Sequence, residues 1–387
     1  MSEMFIQKKS ISKFVDVMKP YLEDIIQHNV SQFPDDIAEV LNVNPKNLYS
    51  MWIEGNFEEF VIPNNITRLG DFAFENCTNL ALTSLPENIT EIGACAFENC
   101  TNLALTSLPD SVSEISSGAF KNCTNLALTS LPNNINVMGH SAFEGCTNLA
   151  LTSLPESLTM IADYAFKDCT NLVLSSLSDA VTRIGVYTFG NCTNLALTSL
   201  PKSLTSIGRY AFSGCHNLVL TSLPDGLTSI ETQTFHNCKN LALTSLPEGL
   251  TSIGSNAFSG CTNLALTSLP DSLTNIKLDA FRDCANLALT SLPENLTSIG
   301  SNAFSGCTNL ALTSLPKGLT SIGYETFGYC NGLKTITFNG TPTSINSTAF
   351  NGCDNLTTIN VPWSEGEIAD APWGATNATI NYNYTGE

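Results

Sequence analysis

Charge is scarce in this 387-residue chain: Asp, Glu, Lys and Arg make up 13% of it, about half the usual share. Basic residues are the scarcest, 16 against 35 acidic ones, for a formal charge of −19. A nucleic-acid-binding face needs a basic patch, so this balance excludes nucleic acid as a partner. It argues equally against anionic membrane surfaces. No stretch approaches 18 consecutive apolar residues, so membrane insertion is not expected. The start, MSEMFIQKKSISKFVDVMK, breaks each apolar run with a charge, and no secretory signal is visible. Only four histidines occur, His28, His140, His216 and His236, and no acid or nucleophile recurs beside them as a triad would require. A glycine-rich phosphate loop, an HExxH motif, a CxxC pair and a Cys/His cluster at metal spacing are all missing. The expectation is a protein with no catalytic residue, no cofactor and no metal site.

Cysteine, by contrast, is abundant and regular. Cys77, Cys100, Cys123, Cys146, Cys169, Cys192, Cys215, Cys238, Cys261, Cys284, Cys307, Cys330 and Cys353 follow one another at intervals of 23 residues. A fixed period without insertion means one supersecondary unit stacked on copies of itself, a solenoid. One position per repeat, inside the apolar motif A-F-x-x-C-x-x-L, marks these cysteines as a ladder of buried free thiols acting as small hydrophobes. Cys95 lies off the ladder, in a pair that varies between copies, and is expected to be exposed.

Counted from the cysteine, the repeat reads C-x-N-L-A-L-T-S-L-P-x-x-L-T-x-I-G-x-x-A-F-x-x, and SIGSNAFSGCTNLALTSLP occurs verbatim at 252–270 and 298–316. One copy cannot bury its Leu, Ile, Ala, Phe and Cys positions, so they must line a continuous core. The proline ends a strand by withholding a backbone donor, the glycine permits a tight bend, and Ala-Phe is expected to form a short turn of helix on the outer side. The repeats occupy 57–362. Before them, Ile11, Phe14, Val15, Met18, Leu22, Ile25 and Ile26 recur at helical spacing, so 1–56 reads as a short helical cap or docking segment. After them, Trp363, Trp373 and the alternating Ile380, Tyr382 and Tyr384 make 363–387 a C-terminal β cap, its tryptophans serving packing rather than sugar binding.

The pattern resembles the BspA-type leucine-rich repeat family, whose units look like L-x-x-I-x-I-P-x-x-V-x-x-I-G-x-x-A-F-x-x-C. Ile92-Gly93, Ala96-Phe97 and Cys100 carry the resemblance, as do Ile253-Gly254, Ala257-Phe258 and Cys261. It implies an α/β repeat solenoid, right-handed and curved, with a parallel sheet on its concave face. It also implies a binding protein of the cell surface or secreted, linked to adhesion. The missing signal keeps two other readings open: a phage or particle structural protein docked through its N-terminal helices, and an intracellular scaffold.

This chain departs from the family in one respect. Eleven copies carry Leu at the fifth place after Cys and Thr or Ser at the sixth, where the family has an apolar residue. Strand side chains alternate between faces, so either the Leu ladder turns outward or the backbone shifts and a hydroxyl ladder faces out. The candidate ligand-binding positions on the concave face are therefore Thr221, Thr244 and Thr267 together with Leu220, Leu243 and Leu266. The variable pair before Ala-Phe or Thr-Phe, with Tyr164, Tyr187, Tyr210 and Tyr324, is the alternative surface. Glu87, Asp110, Glu156, Asp179, Asp225, Glu248, Asp271 and Glu294 form a third column after the repeat's proline, which Ser178 replaces before Asp179, expected as a solvated edge. The partner is a protein or polysaccharide of neutral or cationic character.

Overall fold

The computed structural model describes residue 62 and residues 67–386. The expected helices of 1–56 lie outside the described residues. The chain divides into two compact units, Met1–Leu151 and Thr152–Glu387.

In the first unit, β1 (Arg68–Leu69), β2 (Glu91–Ile92), β3 (Glu114–Ile115) and β4 (Val137–Met138) form one parallel sheet in chain order. Partners are offset by one repeat, Arg68 facing Glu91 and Ile92 facing Ile115. In the second unit, β5 (Met160–Ile161), β6 (Arg183–Ile184) and β7 (Ser206–Ile207) make a three-stranded sheet. A four-stranded sheet follows from β8 (Ser229–Ile230), β9 (Ser252–Ile253), β10 (Asn275–Ile276) and β11 (Ser298–Ile299). Further on, β13 (Ser321–Ile322) pairs with β15 (Ser344–Ile345). Finally β12 (Ser314–Leu315), β14 (Thr335–Phe338), β16 (Thr358–Asn360) and β17 (Thr379–Asn381) form a parallel sheet in that order. In most copies, then, the regular strand is the last two residues of the T-x-I segment, as in Ser252–Ile253. The L-A-L-T-S-L segment becomes a longer strand only in the last copies, where Ile336 and Phe338 or Ile359 and Val361 restore strict alternation.

Each rung sends eight side chains inward. For one rung these are Leu264, Leu266, Leu269, Leu273, Ile276, Ala280, Phe281 and Cys284, all buried. The phenylalanines stack in columns, with centroids 5.2–5.4 Å apart from Phe74 to Phe143 and 5.4–5.7 Å apart from Phe166 to Phe350. Every ladder cysteine is a buried free thiol. In most of them Sγ also donates to the carbonyl of a phenylalanine 26 residues earlier, as in Cys261 to Phe235 and Cys284 to Phe258, both at 3.0 Å, whereas Cys77 donates to the Glu75 carbonyl at 3.6 Å. The thiol thus serves as both a small hydrophobe and a donor.

The outer segment is not helical, and the described residues contain no helix, which corrects the α/β expectation. An α-helix satisfies its N–H groups within itself. Here they alternate: Ala96 and Glu98 donate to carbonyls three residues back, Gly93 and Cys95, while Cys95, Phe97 and Asn99 donate to Ser117, Ala119 and Lys121 of the next repeat at 2.7–2.9 Å. Such a string of β-turns needs left-handed residues, which interrupt helix. The residue before each ladder cysteine has φ between 57° and 77°, and it is Asn, Asp or Gly in every copy except Tyr329. A Cβ on Gly260 would lie 2.3 Å from Oδ1 of Asn237 in the previous repeat, so larger residues are admitted there only with a shift.

At the C-terminal end, Trp363 and Trp373 are buried against Phe338, with centroids 5.2 and 6.2 Å away, and are therefore no sugar platform.

Candidate binding surface

The L-A-L-T-S-L segment presents a surface because its sequence cannot alternate. Leu218 and Leu220 face in, and then Thr221 and Ser222 both face out before Leu223 turns in again. Two consecutive outward residues break the period of two, so the ladder thins to a few bonds, such as Ala242 N–H to the Leu220 carbonyl at 3.2 Å and Thr244 N–H to the Thr221 carbonyl at 3.4 Å. Of the two arrangements the sequence left open, the hydroxyl ladder is the outward one. Leu220, Leu243 and Leu266 are fully buried. They belong to the core and are withdrawn as ligand contacts, while Thr221, Thr244 and Thr267 are exposed.

The chemistry of this face is distinct. Two other threonine columns use their hydroxyls within the protein. In the T-x-I segment, Thr251 and Thr274 donate to the Thr228 and Thr251 carbonyls at 3.1 and 3.3 Å. After the ladder cysteine, Thr262 donates to the Lys239 carbonyl at 3.4 Å. Among the described residues, the hydroxyls of Thr198, Thr221, Thr244, Thr267, Thr290 and Thr313 make no such bond. No charged residue interrupts the L-A-L-T-S-L segment in eleven consecutive copies, from Leu80–Leu85 to Leu310–Leu315. The outer turns carry charge instead, with Lys121 Nζ lying between Glu98 and Glu144 at 3.8 and 3.7 Å.

The alternative surface is also real in geometry. Tyr164, Tyr187 and Tyr210 stack with centroids 5.4 and 4.2 Å apart and interplanar angles of 17° and 3°. Burial, followed by the two flanking tyrosines, raises the Tyr187 hydroxyl above its ordinary range. Each of the three sits at φ between 53° and 60°, a region bulky residues avoid. Tyr324 lies apart from this stack, half exposed, its hydroxyl pushed up by a hydrogen bond to Glu325. The acids after the proline are exposed, and it is the backbone carbonyl of Glu248, not its carboxylate, that accepts the Ser272 hydroxyl, at 2.5 Å.

Cys95 is half-buried rather than fully exposed. Desolvation, with Glu98 beside it, pushes its thiol up to about 12. Burial also raises the thiols of Cys192, Cys238 and Cys261 in the ladder, so neither they nor Cys95 are ready nucleophiles. Among the described residues, no group of three His, Cys, Asp or Glu could hold a metal ion. No helix among them is long and apolar enough to cross a membrane.

The left-handed turn ladder was missed at the sequence level, although the recurring Asn, Asp or Gly before each cysteine was its signal. Among solved structures, the chain is similar to a leucine-rich repeat protein from Bacteroides ovatus at 26% identity and a TM-score of 0.63, covering 82% of this chain and 87% of that one. It is also similar to a leucine rich cell surface protein from Faecalibacterium prausnitzii at 28% identity and a TM-score of 0.51, over 78% and 84% of the two chains. No curated protein matches it. The model of the BspA type leucine rich repeat region matches residues 49–173, 159–288 and 275–371, and with these repeats, thiols and turns on view the chain belongs to that family.

Proposed function

We propose that this chain is a non-enzymatic binding protein, adhesin-like or receptor-binding, which recognises a protein or glycan surface through its threonine–serine face. The single observation behind this reading is the run of exposed hydroxyls left unused by the fold on a charge-free segment. Leucine-rich repeat proteins typically mediate protein interactions, and the F. prausnitzii relative is a cell surface protein, which supports display outside the cell. The same proposal includes a right-handed, curved solenoid with this face concave, a helical cap or docking segment over 1–56 and a β cap over 363–387. The test is an array of neutral and charged glycans and extracellular-matrix proteins probed with the intact chain. Replacing Thr221, Thr244 and Thr267 by Lys is expected to weaken the retained ligand at least tenfold, while Tyr187→Ala with Tyr210→Ala changes little. The opposite pattern moves the site to the tyrosine stack.

A further inference from the structure

The hydroxyl face of Thr152–Glu387 selects one class among those ligands, and this step rests on the reading just given. We infer that it binds an extended, neutral, β-linked polysaccharide lying along the column, with one sugar per repeat. Three features carry the inference. First, the L-A-L-T-S-L segments from Leu172–Leu177 to Leu310–Leu315 carry no charged side chain, although the protein has 51 charged residues, 16 basic and 35 acidic. A charged ligand would find no partner there, and burying its charge unpaired is costly. Second, Thr221-Ser222, Thr244-Ser245, Thr267-Ser268 and Thr290-Ser291 offer two adjacent hydroxyls per rung, each both donor and acceptor, and none bonded to the protein among the described residues. A sugar ring edge carries the same paired donor–acceptor chemistry, whereas a folded protein surface rarely repeats it in register. Third, neighbouring rungs follow at roughly 4.8 Å, close to the advance per sugar of an extended β-1,4 chain, so successive sugars meet successive rungs. The methyl groups of the threonines, with Ala242, Ala265 and Ala288 beside them, add apolar contact for the sugar C–H edges.

Each rung contributes little by itself, so binding depends on length. One hydrogen bond of ordinary net strength is worth about three- to tenfold in affinity per rung. Linked sugars add their contributions until the column is filled.

The experiment titrates the intact chain with β-1,4-gluco-oligosaccharides of two to six sugars, with oligogalacturonate as the charged probe. Affinity is expected to rise about three- to tenfold per added sugar, and the charged probe is not retained. Replacing Thr152, Thr221 and Thr290 by Lys leaves no run of more than three threonine rungs and should flatten the series beyond three sugars. The same positions changed to Val, which keeps the shape and removes the hydroxyl, should flatten it as well. Unaltered melting shows that both variants fold. A flat series in the intact chain, or an unchanged series in both variants, overturns the inference. If the array yields a protein ligand lost with the Thr221, Thr244 and Thr267 replacements while the sugar series stays flat, the face is a binding face and this ligand class is wrong.

Discussion

The backbone before each ladder cysteine is left-handed, and Tyr329 occupies that place where the other copies have Asn, Asp or Gly. A bulky residue there costs about 1 kcal/mol relative to one that tolerates the region. Tyr329→Asn is therefore expected to stabilise the protein by up to about that amount, read as a rise in denaturation midpoint at constant slope. A lower midpoint would show that the tyrosine's packing outweighs the strain. A core residue gives the opposite sign. Phe258 stacks on Phe235 and Phe281, and Phe258→Ala is expected to cost about 3–5 kcal/mol by the same denaturation measurement. Cys95 supplies a pH dependence. Its thiol is pushed up to about 12, and the thiolate is the reactive form, so alkylation of the native protein should rise about tenfold per pH unit through pH 10. An ordinary exposed thiol would level off near pH 9. A plateau there would contradict the burial described for Cys95.

At the scale of the element, the repeat, its core positions and its thiol ladder were legible in the sequence because packing imposes a period that insertions would destroy. The outer segment was misread as helical because Ala-Phe is compatible with helix, and only the neighbouring repeat's carbonyls turn its N–H groups outward. The T-x-I segment was likewise not recognised as the regular strand, since two residues are too few to show alternation. The Leu-Thr ambiguity could not be settled from one copy. Burying Leu266 removes about 1.5–3 kcal/mol worth of apolar surface from water, and eleven such choices decide the face together. The tyrosine stack was visible only as variation, because sequence gives no ring-to-ring distance.

At the scale of the molecule, each unit is a stack whose register is one repeat, so whole repeats are the natural unit of change. Excising residues 252–274, one period, is expected to leave a cooperatively folded protein of lower stability. Excising 20 residues from the same start should break the thiol and phenylalanine columns and abolish the sharp transition. Equal behaviour of the two deletions would mean that register is not what holds the stack. Binding belongs to this scale as well, since no single rung carries enough energy. The most direct measurement is amide hydrogen exchange on the intact chain, free and saturated with the ligand identified on the array. The account predicts added protection in residues 218–223 and 241–246, which bear Thr221 and Thr244, and none in residues 185–189 and 208–212, which bear Tyr187 and Tyr210. Protection confined to the tyrosine segments would contradict it.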